Sequence, residues 1–197
     1  EDSNGALSEG NVLVSVNPIN DAPVAMDDSS ELLEDNIGLF NVLANDLDVD
    51  GDDLSLSSVN ADQGNAVLLM NQVQYTPEPN FAGEVQIIYE ITDPDGDSSS
   101  ATLNLIITPV NDPPVLRTDA SLTDEEQNVL IDPLINDTDI EGDVLTITSA
   151  SAQFGAINIV DSQISYTPFV DFNGGDLLSY VVEDGNGGSA QSTVSVI

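Results

Sequence analysis

The sequence predicts an all-β protein made of tandem Greek-key β-sandwiches, about seven strands each. Three observations predict it. Apolar and polar residues alternate with a period of two in short runs, so that Val85, Ile87, Tyr89 and Ile91 share one face. Asn, Asp, Gly and Pro break these runs into short pieces. The pattern also returns without a gap at an offset of 91 residues: Asn45-Asp46-Leu47-Asp48-Val49-Asp50-Gly51-Asp52 reappears as Asn136-Asp137-Thr138-Asp139-Ile140-Glu141-Gly142-Asp143. No segment sustains a helical period.

The same offset relates Asn20-Asp21-Ala22-Pro23-Val24 to Asn111-Asp112-Pro113-Pro114-Val115, and Tyr75-Thr76-Pro77 to Tyr166-Thr167-Pro168. It also relates Asn80-Phe81-Ala82-Gly83 to Asp171-Phe172-Asn173-Gly174, Tyr89 to Tyr180, and Asp93 to Asp184. Two copies of one domain follow, at residues 20–109 and 110–197. Residues 1–19 read as the last loop and strand of a preceding, truncated copy, with Asp2-Ser3-Asn4-Gly5 matching the Asp93 loop and residues 11–16 matching 102–107. The piece reads as cut from inside a longer chain.

Taken in order, residues 24–32 are expected to form the entering strand, followed by a short strand at 39–43. Alternation continues at Leu54-Ser55-Leu56-Ser57 and Leu145-Thr146-Ile147-Thr148. Residues 66–70 and 72–76 predict a hairpin turning at Asn71. Leu178, Tyr180 and Val182 repeat the face of Val85 to Ile91; Leu103, Leu105 and Ile107 have Val194 and Val196 as counterparts. Pro133 falls where the first copy has Val42, inside the expected strand, so an edge or a bulge is expected there. The four tyrosines, at strand spacing, are expected in the core instead of on a sugar-stacking platform.

Charge excludes several classes of function. There are 36 acidic residues against one basic residue, Arg117, for a net charge of −35. Such a polyanion repels nucleic acid and anionic membrane surfaces and favours bound cations or high salt. Cysteine and histidine are absent. That removes disulfide staples, Cys/His zinc sites and Ser-His or Cys-His nucleophiles. Paired carboxylates could in principle hydrolyse glycosides, but these acids recur in each copy, whereas a catalytic site is expected once. No enzyme is expected.

The acids gather in loops. Asp46-x-Asp48-x-Asp50-Gly51 and its repeat Asp137, Asp139 and Glu141 concentrate oxygen ligands of the kind Ca²⁺ takes. The opening matches an EF-hand loop, but the twelfth position is Ser57 or Thr148 and no helices flank it. The expectation is therefore a calcium loop between strands, set against an ordinary acidic turn. A second cluster is Asp93-Pro94-Asp95-Gly96-Asp97, with Asp184-Gly185-Asn186-Gly187 as partner. A tight hairpin turn explains it equally well. The third is Glu34-Asp35, matched by Glu125-Glu126. The connectors supply Asn20-Asp21 and Asn111-Asp112, each close to a proline that keeps the backbone extended.

The order of these pieces resembles the cadherin repeat, in which a glutamate, an Ala-x-Asp-x-Asp run, a late aspartate and an Asp-x-Asn-Asp linker succeed one another. Here the corresponding pieces are Glu34, Ala44-Asn45-Asp46-Leu47-Asp48, Asp93 and Asn20-Asp21. In the second copy they are Glu125, Asp137, Asp139, Asp184 and Asn111-Asp112. The chain is more similar still to bacterial cadherin-like, immunoglobulin-like tandem repeats of large secreted RTX-type adhesins, through NDAPVA, VLANDLDVDGD and YTP…NFAG. Two departures stand out: the animal Asp-Arg-Glu element has no match, and Ile19 and Val110 stand where the linker has aspartate.

The resemblance implies Ca²⁺ held by Asn20, Asp21, Asp46, Asp48, Asp50, Asp93 and Asp95, and by Asn111, Asp112, Asp137, Asp139, Glu141 and Asp184. Glu34 is expected to reach toward the Asn111-Asp112 connector, and Glu125 is its counterpart in the second copy. The implied role is that of a calcium-stiffened, extracellular or cell-surface adhesin segment, with neighbouring repeats as its partners. Cell-surface proteins or polysaccharide are further expected partners; nucleic acid, membrane insertion and an obligate oligomer are not expected. A calcium-dependent polysaccharide-binding module is the alternative.

Overall fold

The computed structural model describes Gly5 and residues 11–197. Of the expected remnant, Asp2-Ser3-Asn4 lies outside the described residues. Residues 11–20, expected to include a strand, carry no regular secondary structure, and their apolar side chains are exposed. A single strand cut off from its own sheet has neither a partner ladder nor a face to bury. The chain divides into two compact units, Glu1–Thr108 and Pro109–Ile197.

The first unit has seven strands: β1 (Asp28–Leu33), β2 (Gly38–Phe40), β3 (Ser55–Ala61), β4 (Asn65–Leu69), β5 (Gln72–Thr76), β6 (Gly83–Thr92) and β7 (Ser98–Thr108). They form one sheet in the order β1-β7-β6-β3 and a second in the order β2-β5-β4. Strand β1 runs parallel to β7; the other pairs are antiparallel. The second unit repeats this with β8 (Asp119–Ser121), β9 (Val129–Ile131), β10 (Thr146–Ser151), β11 (Gly155–Val160), β12 (Gln163–Pro168), β13 (Asp176–Glu183) and β14 (Ser189–Val196). Its sheets are β10-β13-β14-β8 and β11-β12-β9. This is the expected all-β class with seven strands per unit, and no α-helix occurs among the described residues.

The period-two faces become the cores. Val85, Ile87, Tyr89 and Ile91 of β6 pack with Leu103, Leu105 and Ile107 of β7 and with Val73 and Tyr75 of β5. Leu178, Tyr180 and Val182 meet Val194, Val196, Ile164 and Tyr166 in the second unit. All four tyrosines are at most 1% exposed. Burying each such ring contributes on the order of 2–3 kcal/mol.

Three strand boundaries differ from the expectation. The strand expected at 39–43 stops at Phe40, and Val42–Ala44 is a 3₁₀ turn. Pro133 is not in a strand: it opens the 3₁₀ turn Pro133–Asn136, where its missing N–H removes no ladder bond. The entering strand starts at Asp28, and Val24 makes only an isolated bridge to Leu47, as Val115 does to Thr138. That bridge brings each connector beside its acidic loop. The hairpin turn expected at Asn71 has φ of 50° at Met70 and 62° at Asn71, a two-residue primed turn that suits strand twist. Its counterpart is Asp161-Ser162.

Candidate metal centre

Each acidic loop lies between a 3₁₀ turn and the sheet, next to the connector. Asp48 Oδ1 accepts N–H groups from Asp50 at 2.8 Å, Gly51 at 3.1 Å and Asp52 at 3.3 Å. This wraps the loop around one carboxylate and requires a positive φ at Gly51, which is 83°. In the second unit Asp139 Oδ1 accepts from Glu141 and Asp143, both at 3.1 Å.

The wrapping draws carboxylates together. Asp48, Asp50 and Asp52 each bring an oxygen within 4.8 Å of the others, and so do Asp139, Glu141 and Asp143. The other oxygen of the wrapped residue, Asp48 Oδ2 or Asp139 Oδ2, is buried and has no hydrogen-bond partner among the described residues. An ionised oxygen withdrawn from water without a donor is costly unless a cation meets it. Partial burial and the charges of Asp48, Asp95, Asp50 and Asp93 push the Asp52 carboxyl above its ordinary value. Glu141 is raised likewise, by burial and then by Asp112 and Asp139. The donor set is all oxygen, carboxylate-rich and able to take two orientations, which fits a hard divalent cation such as Ca²⁺. Asp50 and Asp52 in the first unit, and Glu141 and Asp143 in the second, would supply the remaining carboxylates.

The connector is stapled to the same end of its unit. Asp21 N–H donates to Asp50 Oδ2 at 2.8 Å, and Asp112 N–H to Glu141 Oε2 at 3.4 Å. The Asn20 side-chain amide donates to Asp93 Oδ2 and Asp97 Oδ2, each at 2.9 Å. Asn111 does the same to Asp184 Oδ2 at 2.8 Å. Asp93 Oδ1 accepts from Gly96 and Asp97, and Asp184 Oδ1 from Asn186, Gly187 and Gly188. Both oxygens of these two buried acids are thus engaged. The asparagine bond first, and then the backbone N–H groups, hold both carboxyls below the ordinary range.

The remaining expected ligands are not members of these two loop triads. Asp46 Oδ1 accepts from Met26 N–H at 2.8 Å and lies 3.4 Å from the Tyr89 hydroxyl, while its Oδ2 is buried without a partner among the described residues. Asp137 lies likewise between Arg117 N–H and Tyr180. These two acids brace the tyrosine and stand outside the carboxylate triads. Asp95 is exposed in the turn between β6 and β7. Glu34 and Glu125 occupy the opposite end of their own units: Glu34 N–H donates to Thr108 O, and Thr123 N–H to Ile197 O. The eleven residues of β7 separate that end from Asp93 by roughly 33 Å. Asp35 and Glu126, the second members of these acid pairs, accept N–H groups from Asn80 and Asp171 and serve the fold.

A bacterial Ig domain model (Big_9) matches residues 20–106 and again residues 111–197. The chain belongs to the bacterial Ig domain family. No curated protein matches its sequence. Among solved structures, human CDH23 EC21-23 resembles it at 14% identity and a TM-score of 0.49, over 89% of this chain and 69% of that one. Protocadherin Gamma C5 EC1-3 does so at 13% and 0.46, over 89% and 67%. The endo-fucoidan hydrolase MfFcnA4_H294Q, from glycoside hydrolase family 107, aligns at 20% and 0.37 over 89% of this chain; the two Ig domains span 29% of its length.

The ligand set expected from the sequence lacks two residues at this end of each Ig domain, Asp52 and Asp97 in the first and Asp143 and Asn186 in the second. Asp52 and Asp143 stand in the sequence only as extra acids beside the expected ligands, able to hold a second ion or to orient the first. Asp52 and Asp143 complete the two triads, Asp97 shares the Asn20 amide, and Asn186 donates to Asp143 at 2.7 Å. The signal for the first pair was present in the period-two spacing, which continues past the glycine. Asp28 and Asp119, which face Tyr89 and Tyr180, had no such signal: an acid at a strand start is ordinary.

Proposed function

We propose that these tandem Ig domains bind Ca²⁺ and serve as a calcium-stiffened structural segment of an extracellular, RTX-type adhesin. The observation that carries this reading is the wrapped aspartate. Asp48 and Asp139 each spend one oxygen on the loop backbone, keep the other buried and unpartnered among the described residues, and stand in a triad with two further carboxylates. A bound cation neutralises part of a −35 charge where it is densest. It also stiffens the segment, because the ligand Asp50 or Glu141 already holds the connector backbone at Asp21 or Asp112. Fixing the loop fixes how the connector leaves the domain. Affinities of order 10⁻⁴–10⁻³ M suffice outside cells. Recurrence of the same acids in each domain suits a repeated structural joint and not a single catalytic centre.

The reading is tested by melting and small-angle scattering in Ca²⁺ and in EDTA. Calcium is expected to raise the melting temperature and to narrow the distribution of shapes. Identical melts and identical scattering in the two conditions would overturn it.

A further inference from the structure

The acids avoid one sheet of each unit. No residue of β2, β4 or β5 is charged, nor is any residue of β9, β11 or β12. In the first unit no charge occurs between Asp62 and Glu78, although the chain carries 36 acids. We propose that the outer edge of β4 is a self-association site, through which two copies of this chain pair antiparallel and join their three-stranded sheets.

The four edge strands of the first unit are not alike. Strand β1 carries Asp28 and Glu31. Strand β2 has three residues. Strand β3 is interrupted by a register shift between Leu56 and Ser58. Charge, shortness and bulges are the usual protections of an exposed edge. Strand β4 has none of them: it keeps regular register with β5 from Asn65 to Leu69, pairs with no other strand among the described residues, and exposes Val67, Leu68 and Leu69 at 38–40%. The second unit repeats the pattern, with β8 and β9 short, β10 shifted, and β11 regular and uncharged.

The hairpin sets the register. A two-residue primed turn closes on a hydrogen-bonded pair, here Leu69 with Gln72. Val67 and Asn65 then bond inward to β5, and Ala66 and Leu68 direct their N–H and C=O groups outward. A two-fold axis through Val67 sets Ala66 of one copy against Leu68 of the other, with four backbone hydrogen bonds and no charged residue within the paired strands. The occupant is a second copy because its own β4 is a strand of matching register without charge, whereas most of the surface of either copy repels the other. Neither aromatic ring of this sheet is exposed, Tyr75 being buried and Phe40 partly so, which leaves no stacking surface for a sugar.

The axis supplies the test. Val67 would face its copy as a non-hydrogen-bonded pair with Cα atoms about 4.5 Å apart, within disulfide reach. The chain has no cysteine, so Val67→Cys adds the sole thiol. Mild oxidation in physiological salt is expected to cross-link V67C into a dimer and to leave V144C, at a site 81% exposed in the other unit, monomeric. Sedimentation equilibrium of the unmodified chain should show a concentration-dependent dimer, weakened at least about tenfold by Val67→Lys. Equal cross-linking of the two cysteine variants, or a monomer up to about 1 mM, overturns the proposal. Running both in Ca²⁺ and in EDTA keeps it separate from the cation reading, since no acid of the loops takes part.

Discussion

The Tyr89 hydroxyl lies 3.4 Å from Asp46 Oδ1, so the first acid of the Asp-x-Asp-x-Asp run belongs to the core and not to the carboxylate triad. The same hydroxyl is 2.7 Å from Met26 O and 2.9 Å from Asp28 Oδ2. It has one proton for several acceptors. Burial first, and the neighbouring acids after it, push the Tyr89 hydroxyl far above its usual range, and burial likewise raises Asp28 and Asp46. Tyr180 repeats the arrangement with Asp119 and Asp137.

Removing that proton leaves the acceptors unmet. Tyr89→Phe is expected to destabilise the first unit by about 1–3 kcal/mol, and Tyr180→Phe the second by a similar amount. A cost of 1 kcal/mol corresponds to a melting shift of about 4–8 °C for a domain of this size. Calorimetric melting of both variants checks it; unchanged transitions would contradict the bracing role.

The other two tyrosines differ. Tyr166 donates to Asp176 Oδ2 at 2.9 Å, and Asp176 also accepts from Gln153 and Phe154 N–H. The first unit has Val85 at the position of Asp176, and Tyr75 keeps a buried hydroxyl with no partner among the described residues. Tyr166→Phe is therefore expected to cost about 1–2 kcal/mol, while Tyr75→Phe is neutral or stabilising. Urea unfolding of the two variants distinguishes them, and equal losses would contradict this account.

These contrasts mark what the sequence made legible. Period-two faces such as Val85 to Ile91 revealed the strands, and the offset of 91 revealed the repetition, because both are set by local spacing. Position 42 was less readable: a strand and a 3₁₀ turn both bury one valine, and only Pro133 at the matching site hinted at the turn. Membership of the acid loop was clear, but the division of labour within it was not. Asp46 and Asp48 are alike in sequence and differ only because Tyr89, far along the chain, claims one of them. Likewise, both oxygens of Asp93 are taken up by Asn20 and the loop backbone, contacts that spacing alone does not reveal.

Stability should depend on pH with two opposite signs. Asp93 and Asp184 are depressed, so their contribution is present above the ordinary carboxylate value of about 3.9 and is lost as pH falls through their lower folded values. Asp28, Asp46, Asp52, Asp119 and Glu141 are raised, so they oppose folding at neutral pH and cease to do so as they protonate. In EDTA the melting temperature is expected to rise as pH falls from 7 toward the ordinary carboxylate value of about 4, and to drop at pH below it. A steady fall from pH 7 downward would contradict this.

At the alkaline end, Tyr166 is pushed up to about 12, and Tyr89 and Tyr180 rise further, burial being the first cause for each. Their contribution is complete below the ordinary value of about 10 and is lost as pH rises through the folded values. Tyrosinate absorbance should therefore appear together with unfolding; ionisation of all four rings in the folded protein would contradict the buried network.

The central claim is that a cation meets the orphaned oxygens of Asp48 and Asp139. Calorimetric titration of Ca²⁺ into the chelator-stripped chain, beside an Asp48→Asn, Asp139→Asn variant, tests it most directly. Saturable binding to the parent, lost or weakened at least about tenfold in the folded variant, is the predicted result. No binding to the parent, or equal binding to both, would contradict it.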